Sequence, residues 1–266
     1  MGVKSPLTLQ ELQQLFPHYA FTTISATKNG IIDTTYIVKN SHSEYILKKY
    51  ERPIQKKIIL DAQLLRELNQ IGLNVSSLLE VHQDWHLYTK LKGRVPNTSK
   101  LLHMVALGRF LARFHTYTQT IKERKNFLHS YSLSILLQQT KIKHYFYYKK
   151  LAALRSIKDP CQGFIHGDIF KDNTLFNGDK LAIFDFIDGG CGSFAFELGV
   201  VMISFNPTLR KSYTKLLLQS YNQKSPKKIT DKELASAVTN AAKLYGLLRI
   251  THYTNTNKAK ELAKLW

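Results

Sequence analysis

His166-x-Asp168 stands at the end of the apolar run Phe164-Ile165, and Asn173 follows after a four-residue loop, just ahead of Leu175-Phe176. A carboxylate and a carboxamide are thereby presented side by side. Phosphoryl transfer to a hydroxyl needs such a pair: the carboxylate receives the hydroxyl proton, and a neutral oxygen helps hold a metal on the nucleotide phosphates. A second apolar run, Leu181-Ala182-Ile183-Phe184, delivers Asp185. Burying that carboxylate at a strand end requires a cation or hydrogen bonds to offset its desolvation, and magnesium shared with Asn173 supplies the cation.

These groups need a strand before the loop, a strand after it and a lobe to carry the nucleotide. Thr8 to Phe16 reads as a short helix, with Thr8 as cap and Glu11 completing a capping box. Phe21 to Ala26, Thr34 to Val38 and Glu44 to Lys49 read as strands, with Lys28-Asn29-Gly30 as the first turn. A helix from about Ile54 to Gln70, ending at Gly72, and strands near Leu78 to Val81 and Trp85 to Leu91 complete a small mixed lobe. Lys48 on the third strand can pair with nucleotide phosphates, but Lys49 points to the opposite face and the alternation does not decide between them. Asp61 and Glu67 compete as the carboxylate that positions the lysine. They lie on nearly opposite sides of their helix.

Beyond Tyr88 to Pro96 the pattern turns helical, from Leu101 through His115, then at Phe194 to Ser204, Thr208 to Tyr221, Asp231 to Tyr253 and the C-terminal tail. The fold class is therefore α+β, with a small antiparallel sheet lobe bearing a helix (1–91) and a larger, mostly helical lobe (92–266).

Composition bounds the function. At 44% hydrophobic, 266 residues bury a substantial core, and no run reaches the roughly 18 apolar residues of a membrane span. A soluble cytoplasmic protein, monomer or dimer, without a membrane partner is expected. Two cysteines, Cys161 and Cys191, exclude a disulfide framework and a four-sulfur zinc site, and reduced thiols are expected. The 38 Lys and Arg against 19 Asp and Glu give +19, enough to raise a nucleic-acid reading centred on Lys141 to Lys150, where aromatics alternate with cations. The same segment reads as a helix whose apolar side packs inward while its lysines stay solvated. That reading is favoured, and the positive field also suits an anionic nucleotide.

His166-x-Asp168, Asn173 and Phe184-Asp185-Phe186 are similar to the aminoglycoside phosphotransferase and choline kinase group of protein-kinase-like enzymes. Within that group, Asp168 to Phe176 followed by Gly178-Asp179-Lys180-Leu181 most resembles the homoserine kinases, with further matches at Gly93-Arg94, Gly108 to His115 and Leu247-Leu248-Arg249. The resemblance implies a bilobal protein-kinase-like fold and ATP-dependent transfer, with Mg2+, to a small-molecule hydroxyl. The implied acceptor is L-homoserine, giving O-phosphohomoserine for threonine biosynthesis. Choline, an aminoglycoside or a sugar is the alternative, and a noncatalytic kinase-like protein a further one. It implies Asp168 as proton acceptor, His166 as a brace, Lys48 on the phosphates with Asp61 behind it, adenine along the backbone from Tyr88 to Leu91, and metal on Asn173 and Asp185. An amino-acid acceptor needs an anion for its ammonium, from Asp188 or Glu197, and a cation for its carboxylate, from Arg249. Three features depart from the family pattern: Asp61 where Glu is usual, Glu197 where Asp is usual, and the glycine-rich Asp188 to Gly192.

Overall fold

The computed structural model describes residues 3–27, 33–157, 159–252 and 257–266, together with the backbone but not the side chain of Gln55. The expected turn at Lys28 to Gly30 lies outside them. The chain divides into two compact units, the first ending at Lys92 and the second beginning at Gly93.

In the first unit, helix α1 (Leu9–Leu15) is closed at its start by the capping box between Thr8 and Glu11. Strands β1 (Thr23–Ala26), β2 (Thr34–Lys39), β3 (Glu44–Lys49), β4 (Leu78–His82) and β5 (Trp85–Thr89) form an antiparallel sheet in the order β1-β2-β3-β5-β4. The strand period of two sends alternate residues to opposite faces. Tyr36, Val38, Leu47, Trp85 and Leu87 pack with Leu12, Phe16 and Phe21 around α1. Helix α2 (Gln55–Gln70) lies on the other face: its Ile58 and Ala62 line a cavity of about 820 Å³ together with Tyr50, Leu78 and His86.

The second unit contains α3 (Leu101–Thr118), α4 (Leu133–Lys143), α5 (Tyr145–Leu151), the strand pairs β6 (Gly163–Ile165) with β9 (Gly190–Gly192) and β7 (Thr174–Asn177) with β8 (Lys180–Ile183), and helices α6 (Phe194–Phe205), α7 (Lys211–Asn222), α8 (Asp231–His252) and α9 (Asn257–Leu262). Helix α7 starts three residues later than expected because Asn206 holds the turn before it, accepting from Arg210 N–H at 2.9 Å. The Lys141 to Lys150 stretch is two helices broken at His144 (φ −144°, ψ 58°). Its lysines are exposed as expected, but its apolar side packs inward only in part: Tyr147 and Tyr148 are half-buried, with Tyr147 against the Trp266 ring, whereas Ile142 and Phe146 are among the most exposed large apolar side chains described.

The glycines after Asp188 have a packing reason. A Cβ on Gly190 would lie 2.7 Å from the Lys125 carbonyl oxygen, and one on Gly192 2.6 Å from Ile165 Cδ1. Bulkier residues would push β9 off β6, the strand that leads into His166.

Cys161 and Cys191 form a disulfide with a Cα–Cα separation of 5.0 Å, which corrects the expectation of reduced thiols. Spacing alone could not show this, because β6 pairing with β9 sets Cys191 opposite Phe164 and so beside the start of the same strand. Reduction is expected to lower the unfolding free energy by about 3–4 kcal/mol on loop-closure grounds for a separation of 30 residues. Denaturant titration with and without a thiol reductant measures it.

Candidate active site

The loop after β6 is built around Asp168. Asn173, on a short 3₁₀ turn, donates its Nδ2 to both the Asp168 carbonyl and Asp168 Oδ2, each at 2.8 Å. That fixes the carboxylate and commits the amide nitrogen, so Asn173 Oδ1 is the end left to act as a ligand. Burial, followed by the nearby carboxylates of Asp172 and Asp185, pushes the Asp168 carboxyl up to about 6, against opposing effects of His166 and the Asn173 bond.

His166 is 1% exposed and both ring nitrogens are engaged. Its Nδ1 accepts from Asp168 N–H at 3.2 Å, so Nε2 carries the proton and donates to the Phe184 carbonyl at 2.9 Å. The ring thereby ties Asp168 to the residue preceding Asp185. A second tie is Phe184 N–H to the Asn173 carbonyl at 3.3 Å, continuing the β7–β8 register in which Thr174 faces Ile183.

Asp185 differs from expectation in its burial. It is exposed, so desolvation does not argue for a cation there. Its backbone is the distinguishing feature: φ 70°, ψ 54°, left-handed for a residue with a side chain, at the start of the 3₁₀ turn Phe186–Asp188. Such conformations concentrate at functional sites, where surrounding contacts hold them. Asp172 is exposed as well.

Gly167, between the two key side chains, is held from both ends. Its N–H donates to Glu197 Oε1 at 2.7 Å, and its carbonyl accepts from the Tyr245 hydroxyl. Its φ of +76° and a Phe127 ring atom 2.1 Å from where a Cβ would sit leave room only for glycine. Glu197 Oε2 accepts from His115 Nε2 at 2.7 Å, leaving His115 Nδ1 to accept from the Tyr221 hydroxyl at 2.8 Å. Burial lowers the His115 pKa and raises those of Tyr221 and Tyr245. Glu197 is 0% exposed with both oxygens used, so it anchors the loop and is not placed to meet an acceptor's ammonium, correcting that part of the substrate assignment. Tyr221 and Tyr245 carried no local signal in the sequence. Each lies far along the chain from its partner, by 106 and 78 residues.

Two other acceptor candidates are Asp188 and Arg249. Asp188 closes the 3₁₀ turn after Asp185 and is half-buried. Arg249, also half-buried, is one helical turn past Tyr245 on α8, hence on the side of the helix that reaches Gly167.

In the first unit, Lys49 shares the α1 face of the sheet, near Asp84 (3.9 Å) and over the Trp85 ring (5.7 Å). Lys48 shares the α2 face with Ile46, His86 and Tyr88, and sits 4.9 Å from the Tyr50 ring centroid. Asp61 is 5% exposed on α2, whereas Glu67 accepts from Gln63 at 3.0 Å on its flank. Tyr88 is buried with its hydroxyl 2.9 Å from that of Tyr50, and Leu91 is half-buried beyond β5.

Residues 23–229 match the phosphotransferase enzyme family known as APH. The chain belongs to this family. The homoserine kinase of Janthinobacterium sp. (strain Marseille) is 25% identical over 228 residues, covering 76% of this chain and 71% of that one. The homoserine kinase of Parvibaculum lavamentivorans is 24% identical over 260 residues, covering 85% and 80%. Among solved structures, an amicoumacin kinase in complex with AMP-PNP and Ca2+ superposes with TM-score 0.68 at 18% identity, covering 97% of this chain and 90% of that one. A microcompartment-associated aminopropanol kinase gives 0.66 at 17%, covering 97% and 94%. The fold is protein-kinase-like, and this APH phosphotransferase is an ATP-dependent small-molecule kinase.

The donor set of this phosphotransferase suits a hard divalent cation of a particular kind. Among the described residues no three His, Cys, Asp or Glu side chains converge as a metal cage. Asn173 Oδ1 and the Asp185 carboxylate are two oxygen donors at the end of one hairpin, which fits an ion that retains waters and binds phosphates better than one held by protein alone.

Proposed function

We propose that this phosphotransferase moves the γ-phosphoryl group of ATP to the hydroxyl of L-homoserine, giving O-phosphohomoserine. The observation that carries the transfer is the orientation of Asp168 by two bonds from one Asn173 amide. The acceptor rests on the named relatives, both homoserine kinases. Asp168 takes the proton from the attacking hydroxyl. Asn173 and Asp185 hold Mg2+, which neutralises phosphate charge when bound. Lys48, with Asp61 behind it, binds the phosphates, and the chain from Tyr88 to Leu91 takes the adenine. His166 moves no proton, because both its nitrogens are engaged within the loop. Arg249 pairs with the acceptor's carboxylate and Asp188 with its ammonium.

The sheet faces make a paired prediction. Lys48→Met is expected to raise the KM for ATP and lower kcat/KM by on the order of 10²-fold or more, with Lys49→Met near wild type. Equal losses from both would remove Lys48 from the phosphate site.

With its pKa raised to about 6, Asp168 is the ionised base above that value. As pH falls through about 6 it protonates, so kcat/KM is expected to drop about tenfold per unit on the acid side. A pH–rate profile flat down to pH ~5 would argue against a base of this kind.

The acceptor is tested by ADP release on a panel of homoserine, choline, amino alcohols, aminoglycosides and sugars. Turnover of choline without homoserine would overturn the narrower assignment and leave the phosphotransfer chemistry in place.

A further inference from the structure

The chain from Arg124 to Lys158 has no part in the chemistry above, yet its composition is extreme: eight Lys or Arg and no Asp or Glu. It includes α4 and α5, and four large apolar side chains there face solvent. Ile135 is 58% exposed, Ile142 75%, Tyr145 55% and Phe146 69%. Ile135 and Ile142 are seven residues apart and so share one face of α4, away from the buried Leu136, Leu137 and Thr140. Tyr145 and Phe146 follow immediately at the start of α5. Leaving such groups in water among like charges is costly unless something covers them.

Three occupants have different requirements. A single-stranded nucleic acid needs open ring faces for its bases to stack on. Here lysines lie over the rings: Lys149 is 5.1 Å from the Tyr145 centroid, Lys150 5.3 Å from Phe146, and Lys141 5.7 Å from Tyr148. Base stacking also has no use for exposed isoleucines. A second copy of the chain, meeting this face by two-fold symmetry, would set positive against positive across the contact. An anionic bilayer satisfies both components, accepting apolar tips into the acyl boundary while its phosphates meet the lysines.

We infer that α4 and α5 form a docking face for a membrane surface rich in anionic phospholipid. The chain rests on the bilayer and does not cross it: among the described residues no helix is long and apolar enough to span. The lysines draw the protein to the surface, and Ile142 and Phe146 set its depth.

The test is co-sedimentation of the full chain with vesicles of phosphatidylcholine alone and of phosphatidylcholine mixed with phosphatidylglycerol. Binding is expected only to the mixed vesicles, and to weaken as salt is added. The double variants Lys149→Gln/Lys150→Gln and Ile142→Ser/Phe146→Ser are each expected to lower partitioning on the order of tenfold while leaving turnover in solution unchanged, which also shows that they fold. Four results would overturn the inference: no vesicle binding, equal binding to both vesicle types, retention only on single-stranded RNA, or loss of a dimer in the apolar variant with vesicle binding intact.

Discussion

Asp168→Asn is expected to lower kcat by about 10²-fold to 10⁴-fold while leaving the protein at least as stable as wild type. The two effects have one origin. Burial raises this carboxyl from 3.8 to about 6, so the native state holds the proton more tightly than the unfolded chain does. Above pH ~6 the native protein therefore carries a charge that its surroundings disfavour, at a cost of up to about 3 kcal/mol. Asparagine removes the charge, and its Oδ1 still accepts from Asn173 Nδ2. A residue serving only the fold would behave differently, losing stability and activity together. Thermal melts at pH 7 beside steady-state kinetics separate the cases. A variant with near-wild-type kcat would strip Asp168 of its role as base.

Glu197→Gln is expected to cost about 2–3 kcal/mol of stability and to lower kcat more than it raises the KM for ATP. Glu197 offers two acceptors to two donors, Gly167 N–H at 2.7 Å and His115 Nε2 at 2.7 Å, with no exposed surface. Glutamine has the same volume but turns one acceptor into a donor, so either a donor faces a donor inside the core or His115 changes tautomer and the buried Tyr221 hydroxyl proton loses its His115 acceptor. Glu197→Ala leaves both donors unpaired and is expected to cost about 3–5 kcal/mol. Both reach catalysis through Gly167: the Ala variant removes one of its two tethers, and the Gln variant leaves a single acceptor oxygen for Gly167 and His115, so the course of the chain from His166 to Asp168 is less firmly fixed. A kcat within twofold of wild type in a destabilised Gln variant would separate the network from the chemistry.

Features set by short-range spacing were legible in the sequence. The Thr8–Glu11 box depends on residues three apart, and β3 runs from Glu44 to Lys49 as its β-branched and aromatic pattern suggests. The Asp168–Asn173 contact spans one short loop. The Lys48 and Lys49 ambiguity needed the sheet, because only the packing of Leu47, Trp85 and Leu87 on α1 shows which face is which. The anchoring contacts of Glu197 carry no local signal in the sequence, because its partners come from α3 and the loop after β6, 82 and 30 residues away. The Cys161–Cys191 bridge depends on the β6–β9 register, which no composition argument supplies. Strand hydrophobicity suggests a buried Asp185, but the left-handed turn of its backbone leaves it exposed just past β8.

The most direct test of the central assignment is transfer of labelled γ-phosphate from ATP to L-homoserine in the presence of Mg2+, followed by product identification by phosphorus NMR, for the wild-type chain and for Asp168→Asn. The expected result is O-phosphohomoserine from the wild type and product reduced by at least about 10²-fold from the variant. ATP binding by a folded wild-type protein that phosphorylates neither homoserine nor any other hydroxyl acceptor in the panel would contradict it.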